Sequence, residues 1–323
     1  MKKIFFGILA IAAFVACSNE EQIAAPKGQE IAFGDAFVDN ATKAIYEGDT
    51  KLKEFYVWGN VTGNGNTVQL YEKAKVYTSN NDNPYNTVYN CDVKRYWTPS
   101  CAYEFVAIAH AATVTLGEDH LPATLTYEAD GDKDLLLSDK VGASTDGDCV
   151  ITGANNGVVA FTMKHLLSRV AVKFTNKSAS ADYTYTVKDI QISNAYASGD
   201  YTIASEKWNG TGAMTTPLTF SAITTAIAQN ATVAATGAYV IIPGTPALSI
   251  SFTAEVVFGG KVISTKTYTK TLNADAESTA DDFTFANNTA YSFNVELPTP
   301  GEEIKFSITT VGNFGTDSDV TVQ

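Results

Sequence analysis

"LSISFTAEVVF", Leu248 to Phe258, sets Leu248, Ile250, Phe252, Ala254, Val256 and Phe258 on one face of an extended chain, with Ser249, Ser251, Thr253 and Glu255 on the other. Period-two spacing of this kind fits a half-buried β-strand, whereas an amphipathic helix repeats its apolar positions every three to four residues. Gly259-Gly260 follows directly, and glycine reaches positive φ at no steric cost, so the pair predicts a tight hairpin into "KVISTKTYTKTL". The same alternation recurs at Tyr103, Phe105, Ala107 and Ala109, at Val170, Val172 and Phe174, at Tyr183, Tyr185 and Val187, and at Tyr291, Phe293, Val295 and Leu297. Strands separated by turn signals, with no helical pattern between them, predict an all-β fold of two tandem antiparallel β-sandwich domains.

The Gly- and Asp-rich stretch from "VGASTDGDC" to "TGANNG", residues 141 to 157, is the expected boundary. It divides the chain into an N-terminal sandwich, 17–157, and a C-terminal sandwich, 158–323. "TGNGNT" at 62–67 reads as a turn, since it lacks the lysine and following helix of a phosphate loop. Sixteen tyrosines and seventeen phenylalanines agree with a β composition. A net charge of −13 with only two arginines, Arg95 and Arg169, argues against nucleic acid as a partner, because phosphate binding needs a basic surface.

Lys2 and Lys3 precede an apolar run, Ile4 to Ala16, too short to cross a bilayer comfortably; residues 1–16 read as a secretory signal peptide. In "FVACSNEE", Phe14 to Glu21, Ala16 directly before Cys17 resembles the bacterial lipobox, with Phe14 where leucine is more usual. Cys17 is then the lipidation site, and several fatty-acyl chains of the palmitate class make a stable anchor where one is marginal. "SNEE" resembles the signal that sends some lipoproteins to the outer face of the outer membrane, though it also suits a solvated linker. The expectation is a lipid-anchored outer-membrane protein at the cell surface.

Of the other cysteines, Cys91, Cys101 and Cys149, at least one must stay unpaired. Cys91 and Cys101 flank "DVKRYWTPS" and would either face each other across a hairpin or remain buried thiols. His110, His120 and His165 match neither a metal pair on a helix nor a triad, so no catalytic residue, cofactor or metal is expected. His165 reads as structural. The acidic turn "EADGDKD" is oxygen-rich but lacks the ordered spacing of an EF-hand loop. Trp97 reads as core. Trp208, in the loop "SEKWNGTG", is the candidate ligand contact, and it carries the alternative reading of a surface glycan-binding lipoprotein.

"FTMKHLLSRVAVKF" (161–174), "RYWTPSCAYEFVAIA" (95–109) and "IAFGDAFVDNATKA" (31–44) together resemble the fimbrillin family, the subunits of type V pili. The first resembles the family's strand, His, apolar turn, Ser-Arg and next strand, the second its Trp-Pro segment, the third its first strand and the basic residue ending it. The resemblance implies transthyretin-like sandwiches and a secreted lipoprotein precursor whose N-terminal strand is removed by a protease. The vacated groove then accepts a strand from another subunit. Family cleavage usually follows arginine; here Lys43 occupies the place, before Ala44. A cut chain would enter a pilus that mediates adhesion, with other subunits and surface ligands as partners. An uncut chain would keep its lipid as an anchor or tip component. The donor strand would come from the carboxyl end, where Ile304, Phe306 and Ile308 alternate and "DVTVQ" supplies Val320 and Val322.

Overall fold

Alternating segments become strands that find their partners far along the chain. A computed structural model describes residues 28–38, 52–78, 89–110, 112–272 and 283–313. Among these residues the fold is all-β, with one short 3-10 turn at Ile203–Ser205.

A nine-stranded sheet runs in the order β1 (Ala32–Val38), β11 (Val158–His165), β8 (Leu136–Ser138), β5 (Ala102–Ala109), β2 (Glu54–Gly63), β3 (Asn66–Thr78), β4 (Tyr89–Cys91). Two further strands belong to it: β9 (Val141–Thr145) pairs with β5, and β10 (Ile151–Thr152) pairs with β9. A four-stranded sheet runs β15 (Lys207–Thr211), β14 (Ser198–Thr202), β7 (Pro122–Glu128), β6 (Thr113–Leu116). One five-stranded sheet runs β18 (Thr232–Ala234), β12 (Ser168–Asn176), β22 (Thr289–Leu297), β23 (Lys305–Asn313), with β19 (Tyr239–Ile241) also on β12. The other runs β16 (Leu218–Thr219), β13 (Tyr183–Ser193), β20 (Ser249–Phe258), β21 (Lys261–Thr271), with β17 (Ile223–Ile227) also on β13. Most ladders are antiparallel. β1–β11 and β12–β22 are parallel, which the long chain between the members of each pair permits.

The two five-stranded sheets close over a core in which Val170, Val172, Phe174, Tyr291, Phe293 and Val295 meet Tyr185, Val187, Ile250, Phe252 and Ala254. Phe174 and Phe252 pack edge to face at 4.9 Å between ring centroids. Phe258 continues the alternation in sequence but, as the last residue of β20 beside the turn, is 43% exposed. Phe258 pairs with Lys261 across Gly259 (φ 55°) and Gly260 (φ 78°), the two positive angles of a type I′ turn.

At its centre the nine-stranded sheet is buried on both faces. Tyr103, Phe105, Ala107 and Ala109 of β5 enter a core on one side, and Val106 and Ile108 enter another on the opposite side. That second core is covered by the four-stranded sheet, whose Leu125, Tyr127 and Tyr201 pack with Trp58, Leu166, Leu167 and Val240. A cut at residue 157 therefore does not separate the sheets. The strand after it, β11, buries Val159, Phe161 and Met163 in the first core, and β14 pairs with β7 from Ser198↔Glu128 to Thr202↔Thr124. Trp208 stands in β15 of this shared sheet, not in a loop.

Candidate functional site

The slot occupied by the first strand is the feature that the three quoted segments build together. Residues 28–31 run beside the Trp-Pro segment: the Ile31 amide donates to the Arg95 carbonyl (2.9 Å), the Trp97 amide donates to the Gln29 carbonyl (3.0 Å), and Glu30 bridges Tyr96. β1 then turns its backbone to β11, with Ala32↔Val158, Phe33↔Val159 and, after a bulge, Ala36↔Phe161 in parallel register. Among the described residues β1 has this one ladder, so it is an edge strand.

Its side chains reach inward. Ile31, Phe33 and Ala36 are almost fully buried, and the Phe33 ring lies 5.4 Å from Tyr71, 6.0 Å from Phe105 and 6.0 Å from Phe161. Tyr71 is buried here, and desolvation pushes its phenol well above the ordinary tyrosine value. Full burial of Ile or Phe is worth about 1.5–3 kcal/mol each, so β1 is held as much by these side chains as by its single ladder. Gly157 fits the slot's rim with φ +80°, since a Cβ there would meet Gln29 Nε2 at 2.3 Å; its carbonyl accepts hydrogen bonds from Trp97 Nε1 (3.3 Å) and the Ala32 amide (3.4 Å).

Where the chain leaves β11, the His165 Nδ1 and Asp134 Oδ2 atoms form a close pair, with the residues 4% and 0% exposed. Ser168 donates to the Ala286 carbonyl at 2.8 Å, and the Leu166 amide to the Leu135 carbonyl at 2.9 Å. The His-to-Arg segment thus ties the nine-stranded sheet to the strands that follow. The sequence carried no signal for Asp134, which lies thirty-one residues from His165.

Of the candidate donor residues, Ile304, Phe306 and Ile308 are half-buried against the C-terminal core, where β23 forms the outer strand on β22. Cys17, Lys43, Ala44, Val320 and Val322 lie outside the described residues. Trp208 donates its indole N–H to the Leu166 carbonyl at 2.8 Å and packs 5.3 Å from the Tyr201 ring, which gives it a place at the joint between sheets. Cys91, Cys101 and Cys149 are free thiols. No disulfide therefore joins Cys91 to Cys101; Cys91 instead pairs with Val76 on β3. Asp130, in the acidic turn, accepts from the Asp132 and Lys133 amides and pairs with Lys133 Nζ at 2.8 Å. Among the described residues no His, Cys, Asp and Glu converge as a metal cluster, and no helix is long and apolar enough to cross a membrane.

A fimbrial protein from Bacteroides vulgatus has a similar structure: TM-score 0.51, 16% identity, 86% of this chain and 99% of that chain covered. A fimbrial assembly protein from Parabacteroides distasonis also aligns (TM-score 0.40, 11% identity, 88% and 97% covered). No curated protein matches the chain. A family model described as Fimbrillin-like matches residues 42–311, from the end of the first-strand segment through nearly all of the outer strand β23, and on that span the chain belongs to the fimbrillin-like family.

Proposed function

We propose that this chain is a pilus subunit that assembles by strand exchange after cleavage between Lys43 and Ala44. Membership of the family supports the coarser statement, a structural and non-enzymatic pilus-type subunit at the cell surface that associates with other subunits. The observation that carries the finer reading is the edge strand β1 and the residue before it, which insert Phe33 and Ile31 into the core and precede the cleavage position. Its removal opens a groove lined by Tyr71, Phe105 and Phe161, which are too apolar to be left in water.

The carboxyl-terminal strand matches the vacancy. Ile304-Lys305-Phe306 repeats the Ile31-Ala32-Phe33 pattern, so Ile304 and Phe306 from a neighbouring subunit can take the places of Ile31 and Phe33, with Ile308 following and Val320 and Val322 beyond. While β1 is covalently attached, its effective concentration is of order millimolar, and no free subunit competes with that. Cleavage removes this advantage, so the protease acts as the switch. Before it, lipid on Cys17 holds the precursor at the outer membrane; an uncut chain stays there as an anchor or tip. Adhesion to host or bacterial surface ligands belongs to the assembled fibre.

Mass spectrometry of the amino terminus on protein recovered from the native surface tests this. Ala44 in sheared fibres, with acylated Cys17 confined to the membrane fraction, is the expected result. Acylated Cys17 on every molecule in the fibres would overturn cleavage as the switch.

A further inference from the structure

The opposite face of the nine-stranded sheet, the face of Trp58 and Ile108, carries a cleft of about 330 Å³. Glu54, Tyr56 and Trp58 of β2, Lys73 of β3 and Ile108 of β5 line it, together with His110, Ala112 and Lys133. That volume lies at the lower end of the range for small-ligand sites, about 300–1,000 Å³, and suits one or two sugar rings.

The backbone is bent to make it. Between the pairs Val57↔Ala74 and Gly59↔Tyr71, two residues of β3 stand opposite Trp58, and the second of them, Lys73, has φ +53°. Such a bulge re-aims a side chain, and it places the Lys73 ammonium 5.6 Å from the centre of the Tyr56 ring. His110, with φ +75°, turns the chain at the end of β5. Lys73 and His110, both in the left-handed region, thus bring their side chains to one cleft.

The lining has the chemistry of a carbohydrate site for an acidic sugar. Tyr56 is fixed by donating its hydroxyl to Glu54 (3.0 Å), which leaves an oriented, half-exposed aromatic face for a pyranose ring. Glu54 is ion-paired to Lys75 at 2.7 Å, and that lysine's hydrogen bond holds its carboxyl below the usual glutamate value, so it is a standing acceptor for sugar hydroxyls. Burial lowers the His110 pKa, which favours the neutral imidazole at the cleft's edge. Lys133 is neutralised by Asp130. Lys73 alone among the lining groups is a cation without a carboxylate partner among the described residues. A lone lysine is a point charge that suits one carboxylate better than a polyphosphate.

We infer that this cleft binds a pyranose bearing a carboxylate, a uronic- or sialic-acid unit of a surface glycan, stacked on Tyr56 with its carboxylate on Lys73. The site does not depend on polymerisation, so an assembly-deficient chain binds equally well. The test is calorimetric titration of the full chain with a disaccharide ending in glucuronic acid, a sialic-acid disaccharide and a neutral disaccharide ending in glucose, alongside Lys73→Gln, Tyr56→Leu and Trp208→Phe. Unfolding curves check that each variant is folded. Saturable binding of an acidic probe is expected, about fivefold tighter than the neutral one, with the preference lost in Lys73→Gln and retained in Trp208→Phe. Tyr56→Leu weakens both kinds of probe. No saturation with either acidic probe, equal binding of the neutral one, or an unchanged preference in folded Lys73→Gln would overturn the assignment.

Discussion

Asp134 and His165 illustrate what a buried pair does at the residue scale. Two ionisable groups removed from water are tolerated because they are partnered: His165 Nδ1 meets Asp134 Oδ2 and the Leu135 amide donates to Asp134 Oδ1; breaking such a pair costs about 3–5 kcal/mol while replacing both partners with apolar residues costs far less. Asp134→Ala is therefore expected to lower unfolding free energy by about 3–5 kcal/mol in denaturant titrations, and the Asp134→Leu, His165→Leu double variant to recover much of that loss. A loss below about 1 kcal/mol in the single variant would mean the pair is not holding this joint. Neither this pair nor the Lys73 cleft was legible in the sequence. Both arise from long-range pairing, Asp134 with a residue on another strand and Lys73 from a bulge whose position depends on the register against β2. Trp208 misled for the converse reason: a tryptophan between Lys207 and Asn209 looks loop-borne until β14 is found beside it.

At the element scale the sequence was most informative where one face of a strand is buried. Leu248 to Val256 and Tyr291 to Leu297 face the core as their alternation implies, and Gly259-Gly260 makes the expected turn. Gly260→Val should cost about 1–2 kcal/mol, the penalty of a side chain in the left-handed region, because nothing lies within 4 Å to add a clash. Chemical denaturation measures it, and a neutral substitution would contradict the turn type. Alternation says nothing about which strand pairs with which, however. Thus β11 pairs back into the first sheet across the expected cut at 157, and β14 crosses to β7, two pairings that no local pattern encodes.

For the whole molecule, the shared four-stranded sheet and the His165 joint connect the nine-stranded sheet to the C-terminal core, while the buried side chains of the edge strand β1 belong to the first core alone. The proposed cycle needs that property: β1 leaves, the groove beneath it stays shaped, and a neighbour's carboxyl-terminal strand enters. The acidic-sugar cleft faces away from this groove, since Trp58 and Ile108 belong to the core on the opposite side of the sheet from Phe33 and Phe105. In the proposed cycle the cleft would stay open in every subunit of a fibre, where repeated weak sites would add avidity. The most direct test of strand exchange is to cleave the purified precursor after Lys43 and run it unboiled in SDS electrophoresis. A ladder of SDS-resistant oligomers, absent when Ile304 and Phe306 are both changed to Asp, is the predicted result; monomers alone after complete cleavage would contradict the account.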